Sequence, residues 1–136
     1  MPGATFSLDE SHLNALVPGR YPFHTIQPAL AHLGDDRVMA YGTMGGDGQP
    51  QTQAAMFARH VLYGQDLQHA VTAPRWLLGR TWGEDTTSSK LESRIDEATR
   101  SALVQAGHDV EVVEPFSPMT DHAGALTVDS DGILTG

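Results

Sequence analysis

Four glycines fall within seven residues in the run Gly42-Thr43-Met44-Gly45-Gly46-Asp47-Gly48. Glycine has no Cβ, so a ligand can come close to the backbone there. Two successive glycines ahead of a helix can turn their N–H groups into one concavity. The helix N-terminus adds partial positive charge at the same place. Such a site suits a carboxylate, a phosphate or the oxyanion of a tetrahedral acyl-transfer intermediate, and the same residues also fit an ordinary turn. No Gly-Lys-Ser/Thr follows, so the run is not a P-loop, and its spacing is not a dinucleotide fingerprint. His24 and Thr25 are a second polar pair, set between Pro22 and Pro28. Neighbours in an extended segment point to opposite faces, so at most one of the two faces a given pocket; a half-buried polar pair is the plain alternative.

Other candidates are weaker. The seven histidines show no His-Glu-x-x-His or comparable ligand spacing, and His60 and His69 fall on separate predicted helices, so no metal and no cofactor is expected. Thr120-Asp121-His122 has triad-type residues, but direct neighbours rarely pair as base and orienter. Trp76 and Trp82 could stack on a ligand, with core packing as the simpler role. The absence of cysteine excludes disulfides, thiolate zinc sites and a cysteine nucleophile.

The elements that must position these residues read as a mixed, α+β pattern. Residues Met1 to Gly19 are irregular, punctuated by Pro2, Gly3, Pro18 and Gly19. "TIQPAL" and "RVMAYG" form a hairpin around Gly34-Asp35-Asp36, and the second strand runs into the glycine loop. The helix after the loop carries Ala54, Phe57, Ala58, Val61 and Leu62 at i, i+3, i+4, i+7 and i+8, which predicts one apolar face. Pro50 suits its first turn and Gly64 its end. Asp66 caps a short helix that Pro74 ends. Strands are expected from Arg75 to Trp82, more weakly from Ser88 to Ser93, and from Val110 to Glu114. A helix from Asp96 to Ala106 is expected to bury Ala98, Ala102, Leu103 and Ala106, with Gly107 at its end. Ala123 to Val128 and Ile133 to Thr135 flank an Asp-Gly turn.

At 136 residues, with 40% hydrophobic and 18% charged residues, the chain has material for a core and suits one domain or a large piece of one. A net charge of −9 repels phosphate backbones, so no nucleic-acid partner is expected. No stretch reaches the roughly 20 apolar residues of a membrane span, and none is expected to meet a membrane. Residues Met1 to Glu10 lack the basic and apolar parts of a secretory leader, which leans the expectation toward the cytoplasm.

Taken in order, several segments resemble the γ-glutamyltransferase family. "NALVPGRYPFHTIQPAL" is similar to its Pro-Gly-x-x-Pro-x-Ser-Ser-x-x-Pro segment, and "GTMGGDGQPQTQ" to its Gly-Ser-Pro-Gly-Gly loop and following helix. "DLQHAVTAPRW" is similar to its Asp-Leu-x-x-Ala-Val-x-x-Pro-Arg stretch. "HDVEVVE" and "DHAGALTVDSDGILTG" resemble the last strands of its small subunit. The resemblance implies that residues 1–136 are a single partial domain, the C-terminal portion of the small subunit of an N-terminal-nucleophile hydrolase with an αββα sandwich. It implies a threonine nucleophile whose own α-amine is the base, exposed by cleavage of a precursor. That threonine belongs upstream, and Thr5 does not match it. Gly45 and Gly46 fall on the oxyanion-hole glycines, and His24 and Thr25 on the Ser-Ser pair that holds the glutamyl α-carboxylate. The implied substrate is a small γ-glutamyl or other acyl amide. The implied partner is the large subunit or the rest of the parent enzyme, with self-association as the alternative. Two departures, His-Thr for Ser-Ser and Met44 for the proline before Gly-Gly, resemble the acylase-like branch and leave open a glutaryl- or cephalosporin-type acylase. A non-catalytic binding fragment of the same fold is the remaining alternative.

Overall fold

The computed structural model describes residues 6–21, 24–80 and 86–136, so Thr5, Pro22, Phe23 and Trp82 lie outside the described residues. Among the described residues two sheets form. The first contains β1 (Ala29–His32), β2 (Val38–Met44), β6 (His122–Val128) and β7 (Leu134–Thr135), in that spatial order and all antiparallel. The β1–β2 turn closes with the Leu33 N–H donating to the Arg37 carbonyl at 2.8 Å. Asp36 takes a φ of 66° there, a left-handed position that aspartate tolerates better than most residues.

The second sheet runs β3 (Trp76–Leu78), β4 (Ser89–Glu92), β5 (Val110–Val113). Strands β4 and β5 are parallel, so the chain must cross over between them, and helix α3 (Glu97–Gln105) makes that crossover. Strand β4, the weakest of the sequence-predicted strands, is the middle one, and all four of its residues are buried. Its polar composition hid this, because Lys90 and Glu92 are buried with partners rather than exposed.

Helices α1 (Gln49–Phe57) and α2 (Leu67–Thr72) cover one face of the first sheet. Alternation along β2 sends Met39 and Tyr41 to that face, where Met39 is fully buried and Tyr41 stacks on Phe57 with ring centroids 5.5 Å apart. Met39, Met56, Leu67 and Ala70 are buried in this layer. Full burial of a large apolar side chain contributes about 1.5–3 kcal/mol. Asp66 caps α2 as expected, accepting from the His69 N–H at 2.8 Å.

Two helix faces differ from the sequence expectation. The buried face of α1 is Gln49, Thr52, Gln53 and Met56, whereas Ala54 and Leu62 are exposed and Phe57, Ala58 and Val61 are half-buried. The helical period is right but the phase is rotated, because this face meets loop backbone that needs amide partners. The helix also widens to a π-helical turn over Ala58–Leu62, which breaks the predicted 3.6-residue stripe. In α3, Ala98, Ala102 and Ala106 are exposed and Leu103 is half-buried, so no residue of this helix is fully covered among the described residues. Trp76 is 39% exposed on β3, not a core residue.

Candidate functional site

Strand β2 ends at Met44 and the chain turns through Gly45 and Gly46 into a 3₁₀ turn, Gly46–Gly48, that runs straight into α1. Gly45 has φ 154° and Gly46 φ 53°, conformations that side chains disfavour. The Gly48 N–H donates to the Gly45 carbonyl at 3.0 Å, which closes the turn. Gly45 is buried and Gly46 exposed. Among the described residues the Gly46 N–H donates to no loop carbonyl or side chain. The order strand, Gly-Gly, helix is therefore as the sequence indicates, and the exposed peptide lies at the positive end of α1.

A carboxylate lies behind the turn. Asp121 is fully buried, and its Oδ2 accepts from the Thr52 hydroxyl at 2.8 Å. A Cβ built on Gly45 would lie 1.5 Å from Asp121 Oδ1, and one on Gly48 would lie 2.5 Å from Oδ2. Both glycines thus leave the hollow that the carboxylate fills. Asp121 itself has φ 68° and ψ −177°.

His24 is exposed and Thr25 half-buried. Their segment is tied to the helix that follows the glycine turn. Gln49 Nε2 donates to the Thr25 carbonyl at 2.7 Å, and Gln49 Oε1 accepts from the Gln27 N–H at 3.2 Å. Gln53 Nε2 donates to the Gln27 carbonyl at 2.6 Å. The two glutamines sit four residues apart on one helix face, and their amides stand in for a neighbouring strand. Gln51 does the same for β3, accepting from the Leu78 N–H at 2.8 Å and donating to the Leu78 carbonyl at 3.0 Å. The structure thus brings the His24–Thr25 segment and the Gly45–Gly46 turn to one end of α1.

Thr120, Asp121 and His122 part company. Thr120 turns to Glu92, Asp121 to the glycine turn, and the His122 N–H donates to Thr43 Oγ1 at 3.2 Å with its side chain exposed. Glu92 is fully buried, between Arg75 (3.3 Å) and Arg94, and accepts from Thr120 Oγ1 at 2.9 Å. Burial alone would push its carboxyl pKa up. Hydrogen bonds from Arg94, Thr120 and the Phe116 N–H outweigh that and hold it below the usual value. Arg94 also lies 3.7 Å over the Phe116 ring. Arg59 donates to the Pro74 carbonyl at 2.6 Å, and burial lowers its guanidinium pKa against the pull of Glu92. His60 Nδ1 lies 2.8 Å from the Gln65 carbonyl, and among the described residues no three metal-binding side chains converge.

Sequence reasoning missed Gln49, Gln53 and Glu92, and it weighed Asp121 only as a triad-type residue, not as a partner of the glycine turn. The alternating "QPQTQ" after the glycines was the one available signal, since Gln49 and Gln53 recur at helical spacing. Nothing local shows that Asp121 meets Thr52, 69 residues away, or that Glu92, with Arg94 only two residues on, is buried against Thr120, 28 residues away.

Residues 2–136 match the family model described as gamma-glutamyltranspeptidase. The chain is 57% identical over 134 residues to the oxamate amidohydrolase proenzyme of Klebsiella pneumoniae, covering 98% of this chain and 25% of that relative. It is 45% identical over 134 residues to the glutathione hydrolase-like YwrD proenzyme of Bacillus subtilis, covering 98% and 26%. Its fold superposes on the cephalosporin acylase from Bacillus halodurans with a TM-score of 0.71 at 28% identity, covering 98% of this chain and 24% of that one. The chain spans about a quarter of the length of the curated relatives it matches. With nearly every residue inside the family match, and with the mixed helix-and-strand fold of its solved members, the chain belongs to the gamma-glutamyltranspeptidase family.

Proposed function

We propose that this chain supplies the oxyanion-stabilising loop of an amide-cleaving enzyme whose nucleophile lies elsewhere in a longer polypeptide. In this reading an N-terminal threonine hydroxyl attacks the amide carbonyl while its own α-amine takes the proton. The carbonyl oxygen becomes an oxyanion, and the Gly45 and Gly46 N–H groups donate to it. Collapse of the intermediate breaks the C–N bond, the amine leaves with the proton, and an acyl ester remains on the threonine. Water then hydrolyses the ester in a hydrolase; an amine takes the acyl group in a transferase. His24 and Thr25 help hold the acid end of the substrate, on the segment that Gln49 ties to the loop. The identity to an oxamate amidohydrolase proenzyme favours hydrolysis of a small acid amide over γ-glutamyl transfer.

The observation that carries the reading is the exposed Gly46 peptide, free of loop and side-chain acceptors among the described residues, at the start of α1. Losing one oxyanion donor typically lowers kcat by about 10²–10³-fold. Gly46→Val in the processed full-length enzyme should therefore lose about that much kcat with little change in KM, because the donor acts on charge that develops only in the transition state. Unchanged kcat in a folded, processed enzyme contradicts the oxyanion role. A rise in KM alone identifies the turn as a ground-state site for a substrate carboxylate.

A further inference from the structure

We infer that Asp121 is a positioning residue for the Gly45–Gly48 turn, held in place from the second sheet by Glu92 through Thr120; the inference rests on the oxyanion reading of that turn given above. Asp121 has φ 68°, a left-handed value that a residue with a side chain adopts only under strain. A strained residue persists where its surroundings over-determine it, and here both flanks are fixed.

On the N-terminal side, Thr120 is fully buried, and its hydroxyl lies 2.9 Å from both Glu92 Oε1 and the Ser117 carbonyl. Glu92 is in turn anchored by Arg75 and Arg94. On the C-terminal side, His122 enters β6 opposite Met44, the last residue of β2 before the glycines. The residue between these anchors has one place to put its side chain, the hollow behind the turn.

The fit within that hollow is close. Each carboxylate oxygen faces one end of the turn, Oδ1 toward Gly45 and Oδ2 toward Gly48, and the Thr52 hydroxyl holds Oδ2 from the first turns of α1. Asp121 thus touches the start of the turn, its end and the helix that follows. The carboxyl group lies behind the turn and not at the exposed Gly46 peptide. Its contribution to an oxyanion site is therefore geometric: it sets the direction in which the Gly45 and Gly46 peptides face. Thr52 belongs to the same device, because it fixes the carboxylate's rotation.

The test compares Asp121→Asn, Thr52→Val and Thr52→Ser in the processed full-length enzyme, with Gly46→Val measured alongside. A loop misplaced by about an ångström typically loses on the order of 10²-fold in rate. Asp121→Asn and Thr52→Val should lower kcat by roughly 10- to 100-fold with KM held within about twofold, and Thr52→Ser, which keeps the hydroxyl, should return most of the rate. A merely structural role moves yield and stability but not this split or this rescue. Wild-type kcat in Asp121→Asn with a large loss in Gly46→Val overturns the positioning role and leaves the oxyanion reading standing. Wild-type kcat in Gly46→Val overturns both. Where Asp121→Asn fails to mature, the Thr52 pair decides alone, and equal kcat for Val and Ser overturns the proposal. Loss of processed enzyme in both Asp121→Asn and Thr52→Val also overturns it, in favour of a purely structural role.

Discussion

At the scale of single residues, the two adjacent glycines have different duties. Gly45 is buried with a carboxylate where its Cβ would be, whereas Gly46 is exposed. Gly45→Ala should therefore unfold or displace the turn, read as a lost or shifted melting transition, while Gly46→Ala leaves a folded chain. A Gly46→Ala protein that melts as low as Gly45→Ala contradicts the distinction. Glu92 makes the second residue-level prediction. It is a buried carboxylate between two arginines, and removing the charge leaves both guanidinium groups without their partner. Breaking a buried pair of this kind costs about 3–5 kcal/mol, so Glu92→Gln should lower stability in urea by about that amount at pH 7. Its folded-state pKa lies below the ordinary value of 4.5, so its stabilising contribution is fully present above that pH. That contribution fades as pH falls through the folded value. Unfolding curves from pH 7 to pH 3 should show a steeper acid loss in the wild type than in Glu92→Gln; parallel curves refute the assignment. Of these residues, only the glycines were legible in the sequence, because their message is local. A buried ion pair looks like any exposed Glu and Arg until the fold brings them together.

At the scale of elements, α1 ties the candidate site together. Its first residues follow the glycine turn, and Gln49 and Gln53 hold the segment with His24 and Thr25. Gln49→Leu keeps the volume roughly but strips the segment of its amide partner, which leaves the part-buried Thr25 carbonyl and Gln27 N–H without it. In the full-length enzyme it should raise KM more than it lowers kcat, because it loosens the substrate segment and spares the turn. The reverse pattern assigns Gln49 to the oxyanion loop instead. The helix, its proline at the first turn, the Asp66 cap and the hairpin strands were legible, since caps and turns are written in neighbouring residues. The sequence misled on which face of α1 is buried. Apolar residues mark a buried face only where the neighbour is apolar, and here Gln49 and Gln53 meet loop backbone and Thr52 meets a carboxylate, with Met56 alone in the apolar layer. It also undervalued β4, a central strand whose polar side chains are satisfied from other elements.

At the scale of the molecule, the sheet shows what a quarter-length chain leaves open. One face of the first sheet is covered by α1 and α2. On the other, Leu30 pairs across Ala40 to Leu126, and these leucines are 66% and 53% exposed. Leu134, 69% exposed, lies beside them on β7. An apolar sheet face of this kind calls for a cover, and the rest of a longer parent polypeptide is the proposed one. The isolated chain should bind an apolar dye and associate with itself as concentration rises, and a clean monomer without dye binding argues against an uncovered face. The family resemblance was legible because several weak motifs occur in register; the exposed sheet face was not, because it depends on which strands pair. The most direct test is release of ammonia or amine from a panel of small acid amides by the isolated chain, set beside the processed full-length enzyme. The isolated chain should show no turnover, and the full-length enzyme should turn over at least one of them at about 1 s⁻¹ or more. Turnover at that rate by the isolated chain, surviving rigorous purification, would contradict the claim that it carries the oxyanion loop without the nucleophile.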